Sequence, residues 1–287
     1  MIPLIPLKSA KYDDRNTLKD KGAKGNAEEK YWYVPDGRDP GLFRDYMDSQ
    51  TQQIYDGIVS HMQGMQNQDW MDKSKYERPA NFRPIRYPKL GLPDEFVVLD
   101  TETTGLGQDD EVVEIAILDS NANELYHSFF EPKAEVNYQA AQVTGLTNDR
   151  LVGQPKFIDE WPKIKEAIGS HLIAGRNLHD DRRLMQQTLE KQTGKNHQAE
   201  MNALFENCID SYQMAQRSSV AKGKRSLGQL CEAMGVEYPP NHRASHDCLG
   251  VLYVLQNFEQ KDYGVSQRRL PDLSFLETSP QVACEKE

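Results

Sequence analysis

The run Phe96-Val-Val-Leu-Asp100-Thr-Glu102-Thr-Thr-Gly105-Leu106 constrains this chain more than any other stretch. Its four leading apolar residues read as a strand buried on both faces, which requires a layer of structure on each side. Residues i and i+2 of a strand point the same way, so Asp100 and Glu102 project together from the end of that strand. Two carboxylates held side by side raise each other's proton affinity. A cation between them removes the conflict, and oxygen-only ligands select a hard ion such as Mg²⁺ or Mn²⁺. The run therefore predicts a divalent-metal site at a strand edge, completed by further carboxylates and a base from elsewhere in the chain.

Composition sets the frame for that search. The 287 residues suffice for one full domain and a smaller one. A net charge of −10 with 38% hydrophobic residues fits a soluble folded protein. No apolar run approaches a membrane span, and the proline-broken start Met1–Lys8 is too short for a signal peptide. Cys208, Cys231, Cys248 and Cys284 are far apart and form no Cys-x-x-Cys pair, which predicts reduced thiols and a cytoplasmic protein rather than a zinc site or disulfide framework. An acidic balance runs against the usual basic footprint of nucleic-acid binding. It leaves room for a nuclease whose metal ions lie between carboxylates and phosphate.

Four segments are expected. Residues 1–40 read as a small α+β accessory module, with a short helix ending near Gly22 and an aromatic strand Lys30-Tyr-Trp-Tyr-Val34. Its aromatics are either its core or a base-stacking surface flanked by Lys. Residues 41–94 comprise an amphipathic helix over 41–70 and a linker over 71–94. In the linker Lys73, Lys75, Arg78, Arg83, Arg86 and Lys89 alternate with four prolines. That pattern reads as a solvated tether or as a basic arm against a phosphate backbone. Residues 95–261 form the main domain, and 262–287 a flexible tail.

In the main domain, strands are expected at 96–99, 111–118, 124–130, 171–174 and 208–210. Helices are expected near 137–152, 158–168, 180–193, 211–218, 226–234 and 244–260. Three antiparallel strands followed by strand–helix alternation is an α/β layered fold. This segment holds 25 acidic against 16 basic residues, −9 of the chain's −10.

Two more stretches place acids at the mouths of regular elements: Ala174-Gly-Arg-Asn177-Leu-His-Asp180-Asp181-Arg-Arg-Leu184-Met185, and Asn241-His242-Arg243-Ala244-Ser245-His246-Asp247. Together with Asp100-x-Glu102-Thr-Thr-Gly, the patterns Asn177-x3-Asp181 and His242-x4-Asp247 resemble the DEDDh family of 3′→5′ exonucleases. That family includes the proofreading subunit of bacterial DNA polymerase III and has a ribonuclease H-like fold. Val143-Thr-Gly-Leu-Thr147, Pro155-x-Phe157 and Ser226-Leu-Gly-Gln-Leu-Cys-Glu-Ala-Met-Gly-Val236 extend the resemblance over about 165 residues. Residues 5–40 separately resemble a small domain of unknown function found beside mobile-element primases and helicases.

The resemblance implies roles. Asp100, Glu102, Asp181 and Asp247 would hold two Mg²⁺ or Mn²⁺ ions, and His242 would be the general base. Asp181 is preferred to Asp180 because Leu184 and Met185 then fall on the core side of the helix, whereas Asp180 would place Arg183 there. A sister group has Tyr four residues before the last acid, where this chain has Arg243, so the His branch is indicated. Thr103 and Leu106 would sit beside the terminal nucleotide, Asn177 would orient the strand, and Lys222, Lys224 and Arg225 would contact the substrate backbone. The implied activity is release of nucleoside 5′-monophosphates from 3′ ends, of single-stranded DNA first. The alternatives are an RNA exonuclease or oligoribonuclease, and a non-catalytic nucleic-acid binding module that kept the fold. In the tail, Gln267-Arg-Arg-Leu-Pro-Asp-Leu-Ser-Phe-Leu276 is loosely similar to polymerase-clamp peptides, so replication or repair proteins are candidate partners.

Overall fold

The structure is a computed structural model describing residues 5–7, 15–26, 31–34, 40–53, 55–56, 76–218, 226–236 and 242–261. Within the first 56 residues, β1 (Ile5–Leu7), α1 (Arg15–Asp20), β2 (Lys24–Asn26) and β3 (Tyr31–Val34) form a small unit with the antiparallel order β1-β3-β2. Leu7, Leu18, Val34, Phe43 and Met47 are its core, and Trp32 packs against it. The stretch after it departs from the expected single helix at its start, and is α-helical over 49–53 and 55–56. It opens with a 3₁₀ segment, Pro40–Tyr46, which holds Pro40 and Phe43 buried. The remainder of that expected helix, 57–70, lies outside the described residues.

The main domain is built on a five-stranded sheet ordered β6-β5-β4-β7-β8. β4 (Phe96–Thr103), β5 (Val112–Asp119) and β6 (Glu124–Phe129) form the antiparallel meander. β7 (Leu172–Gly175) and β8 (Cys208–Asp210) extend it in parallel. The alternation of side chains along β4 divides the domain into two cores. Phe96 and Val98, with Ala116 and Leu118 of β5, face one helical layer; Val97 and Leu99, with Ile115 and Ile117, face the other.

The helices follow in chain order. α2 (Tyr138–Thr144) and α3 (Asn148–Leu151) replace the one helix expected over 137–152. The break falls at Gly145, which adopts the left-handed conformation (φ 71°) and closes α2. α4 (Phe157–Ile168), α5 (Leu178–Thr193) and α6 (Gln198–Leu204) follow. α6 had no expected counterpart; only Met201 of its seven residues is buried, so the segment carries almost no periodic signal. α7 (Ser211–Gln216) and α8 (Leu227–Met234) lead to α9 (Ala244–Gln260), which lies across the Phe96–Val98 face of the sheet. The short α8 begins with a complete capping box, Ser226 with Gln229.

The described part of the linker is no solvated tether. Tyr76, Phe82, Tyr87 and Leu92 are buried in the same core as α9. Glu259 of α9 accepts hydrogen bonds from the backbone of Lys89 and Leu90, both at 3.0 Å. Lys89 Nζ donates to the carbonyls of Phe258 and Lys261 at the end of that helix, where the dipole favours a cation. The prolines and charges that suggested an extended arm instead frame a chain laid along α9.

Candidate active site

The parity of β4 also decides where its polar end points. Asp100 and Glu102 continue the Phe96–Val98 face, toward α9, and Thr101 continues the Val97–Leu99 face, toward α5. Asp247 sits in the first turn of α9. One carboxylate oxygen from each of Asp100, Glu102 and Asp247 can be chosen so that all three lie within 4.8 Å of one another. Burial, and then the neighbouring Asp247, Asp181 and Glu102, push the Asp100 carboxyl well above the usual carboxylate range. Burial and Asp247 do the same to Glu102, with Arg243 opposing.

Asp181 arrives from the other face. It is 5% exposed on the first turn of α5. Its Oδ1 accepts from Thr101 twice, from the amide at 3.0 Å and the hydroxyl at 2.7 Å. Burial pushes its carboxyl up to about 7 despite those bonds. Asp181 is outside the close trio, although its charge is among those raising Asp100. Leu184 and Met185 are buried in the core behind it. Asp180 is 36% exposed and accepts a bond from the Asn177 side chain, with Arg183 at 3.4 Å. Asn177 itself is left-handed (φ 56°) at the head of α5.

His242 lies just before α9, 49% exposed, with Nδ1 4.0 Å from Asp247 Oδ2. Thr103 is buried and spends its hydroxyl on the carbonyl of Gly105 at 2.8 Å. Leu106 is 70% exposed at the tip of the following loop. That loop is tied down. Asp110 accepts from Thr104 Oγ1 (2.7 Å) and Gly107 N (2.6 Å), and Arg183 donates to the Leu106 carbonyl at 3.2 Å. A Cβ on Gly105 would collide with the Asn137 side-chain amide and the Asp110 carboxylate, so any larger residue forces those side chains to move. Lys222, Lys224 and Arg225, and the tail segment 267–276, lie outside the described residues.

Three residues of the site carried no sequence signal. Thr101 reads as the spacer between two acids, yet it holds Asp181. Glu114 reads as an ordinary strand residue, yet it is 1% exposed and lies opposite Glu102 in the β4–β5 register. Arg243 reads as the absence of a tyrosine, yet it forms an ion pair with Glu114 at 3.0 Å. Burial alone would raise the Glu114 carboxyl; the hydrogen bonds from His127 and Arg243 hold it below the usual range.

A site of clustered, partly desolvated carboxylates fits a hard divalent cation by its donor chemistry. Among the described residues, no Lys or Arg is paired to Asp100. No helix among the described residues is long and apolar enough to cross a membrane. In comparisons with known proteins, residues 97–255 match the RNase_T family model, described as an exonuclease. The chain is 26% identical over 179 residues to the PolC-type DNA polymerase III of Bacillus cereus, covering 60% of this chain and 12% of that protein. It is 24% identical over 168 residues to the Clostridium perfringens protein of the same name, covering 57% and 11%. The chain thus spans about an eighth or less of the length of these relatives. A crystal structure of E. coli exonuclease I with a dT13 oligonucleotide aligns at 17% identity, with TM-score 0.47, over 58% of this chain and 41% of that one. The chain belongs to the RNase_T family, the exonucleases of the DEDD superfamily with a ribonuclease H-like fold.

Proposed function

We propose that the chain is a metal-dependent 3′→5′ exonuclease of the DEDDh branch, which cleaves single-stranded DNA and releases nucleoside 5′-monophosphates. The observation that carries this reading is the convergence of Asp100, Glu102 and Asp247 within 4.8 Å, with Asp181 and His242 alongside. Two Mg²⁺ or Mn²⁺ ions, when bound, would neutralise charge on the phosphate and activate the attacking water. Asp100, Glu102 and Asp247 are the ligands closest together. Asp181, whose Oδ1 is engaged by Thr101, would join them as a ligand. His242, half-exposed beside Asp247, takes the proton from the water, a role an imidazole nitrogen can fill. Leu106, exposed on its braced loop, gives an apolar contact for the terminal nucleotide, and Asn177 a polar one. Thr103 acts through its backbone, since its hydroxyl is already engaged. The polymerase relatives favour DNA over RNA as substrate.

The test is hydrolysis of matched single-stranded DNA and RNA with Mg²⁺ or Mn²⁺. One set carries a 3′-terminal label and the other a 5′ label. Mononucleotide release from the 3′ end of DNA is expected. Faster cleavage of RNA would replace the substrate assignment, and no cleavage of either would remove the enzymatic one.

A further inference from the structure

The residue that follows His242 is held more firmly than His242 itself. Arg243 is the N-cap residue of α9, and its guanidinium grips Glu114 in β5 with two prongs. Nε is 3.0 Å from Oε2 and Nη2 is 3.1 Å from Oε1. His127 Nε2 lies 2.8 Å from that same Oε1, and the guanidinium rests over the Phe129 ring at 4.8 Å. The pair is nearly out of solvent, with side chains 11% and 1% exposed. Buried ion pairs of this kind add little net stability compared with apolar packing. The planar fork does fix distance and angle between its partners, which a lysine cannot do.

What the fork fixes lies at the site. Glu114 is the cross-strand neighbour of Glu102. The Arg243 carbonyl accepts from the Asp247 amide at 2.9 Å. Among the described residues, the His242 ring has no hydrogen-bond partner, and its Nδ1 is 4.0 Å from Asp247 Oδ2. Its placement therefore comes through the backbone, from the residue next to it.

We propose that the Arg243–Glu114 pair is the positioning element for His242, setting where the imidazole stands relative to the acid cluster. The proposal rests on the exonuclease reading with His242 as the base. Arg243 and Glu114 touch no substrate; they act on the chemical step through His242.

The test uses the full chain, with kcat and KM measured on a 3′-labelled single-stranded DNA oligonucleotide in saturating Mn²⁺. Arg243→Lys keeps the charge and loses the fork. It is expected to lower kcat about tenfold, given how steeply rate depends on ångström-scale placement, with KM within about twofold. Glu114→Gln is expected to reproduce that loss, and the two together to cost no more than either alone. The deciding comparison repeats Arg243→Lys in a His242→Ala background, under enzyme excess so that residual cleavage is measurable. There the substitution should change the rate less than about twofold, because the group it positions is gone. Equal fold losses in both backgrounds would overturn the proposal, as would an unchanged kcat in Arg243→Lys. If Arg243→Lys does not fold, Glu114→Gln carries the same comparison. A wild-type chain that cuts no nucleic acid overturns the exonuclease reading instead, whereas an active wild type with additive losses overturns the positioning role alone.

Discussion

Replacing Asp100 by Asn should make the metal-free protein more stable while abolishing its activity. The oxygens of Asp100, Glu102 and Asp247 lie within 4.8 Å of one another. Two unit charges at that distance repel by about 3.5 kcal/mol at an effective dielectric near 20. Asp100 faces two such neighbours, so roughly 7 kcal/mol is the ceiling when all three are ionised. Protonation lowers the cost, because burial and the neighbouring carboxylates push Asp100 well above the usual range. The sign follows from the direction of the shift. A carboxyl whose proton affinity rises on folding costs nothing below its unfolded pKa and its full amount above its folded one. The stability gap between Asp100→Asn and wild type, both in EDTA, should therefore open as pH rises above about 4. At pH 8 it should reach a few kcal/mol, roughly 5–10 °C in Tm for a domain of this size. Excess Mn²⁺ should raise the wild-type Tm and leave that of Asp100→Asn nearly unmoved, reversing their order. Calorimetric melts of both proteins across pH, with and without the ion, read all of this. The reasoning fails if metal-free Asp100→Asn is no more stable than wild type at pH 8, or if the ion stabilises both equally.

Asp181→Ala should remove nearly all cleavage, whereas Asp180→Ala, which frees Asn177 and Arg183, should leave well over a tenth of the wild-type kcat; comparable losses in a cleavage assay would contradict the assignment. Gly105→Ala should destabilise the protein by about 1–3 kcal/mol in a denaturant melt, since overpacking of this order forces neighbouring atoms apart, here the side chains of Asn137 and Asp110. A chain starting at residue 95 should be several kcal/mol less stable than one starting at 76, because Tyr76, Phe82, Tyr87 and Leu92 each bury an apolar side chain, worth about 1.5–3 kcal/mol when complete. Equal denaturation midpoints would show that this segment is dispensable.

The parts of the molecule legible in the sequence were those with short-range signals. The i, i+2 spacing of Asp100 and Glu102 is a property of eight contiguous residues, and the apolar run from Leu249 to Leu255 marks α9 within its observed bounds. Signals failed where a local pattern has two solutions. The apolar spacing over 137–152 continues across Gly145, and only the left-handed turn there shows the break. Prolines and charges over 76–94 read as solvated, because the four buried side chains are irregularly spaced and their partner, α9, is some 170 residues away in sequence. Arg243 and Glu114 are separated by 129 residues. Each alone is an unremarkable surface-type residue, and only the docking of α9 on β5 makes them a buried pair. Thr101 is similar: its bond to Asp181 spans 80 residues.

α9 both fills one core and delivers Asp247, and this gives the protein a direction in time. Synthesis runs at about 5–20 residues per second, so roughly 7 s or more separates the emergence of Glu102 from that of Asp247. Throughout that interval the acid pair exists without its third member, and the Phe96–Val98 face of the sheet lacks α9. A chain that stops short of residue 247 then lacks both the third carboxylate of the cluster and the helix that packs on that face. For the proposed nuclease, the carboxylate cluster closes only once α9 has been made.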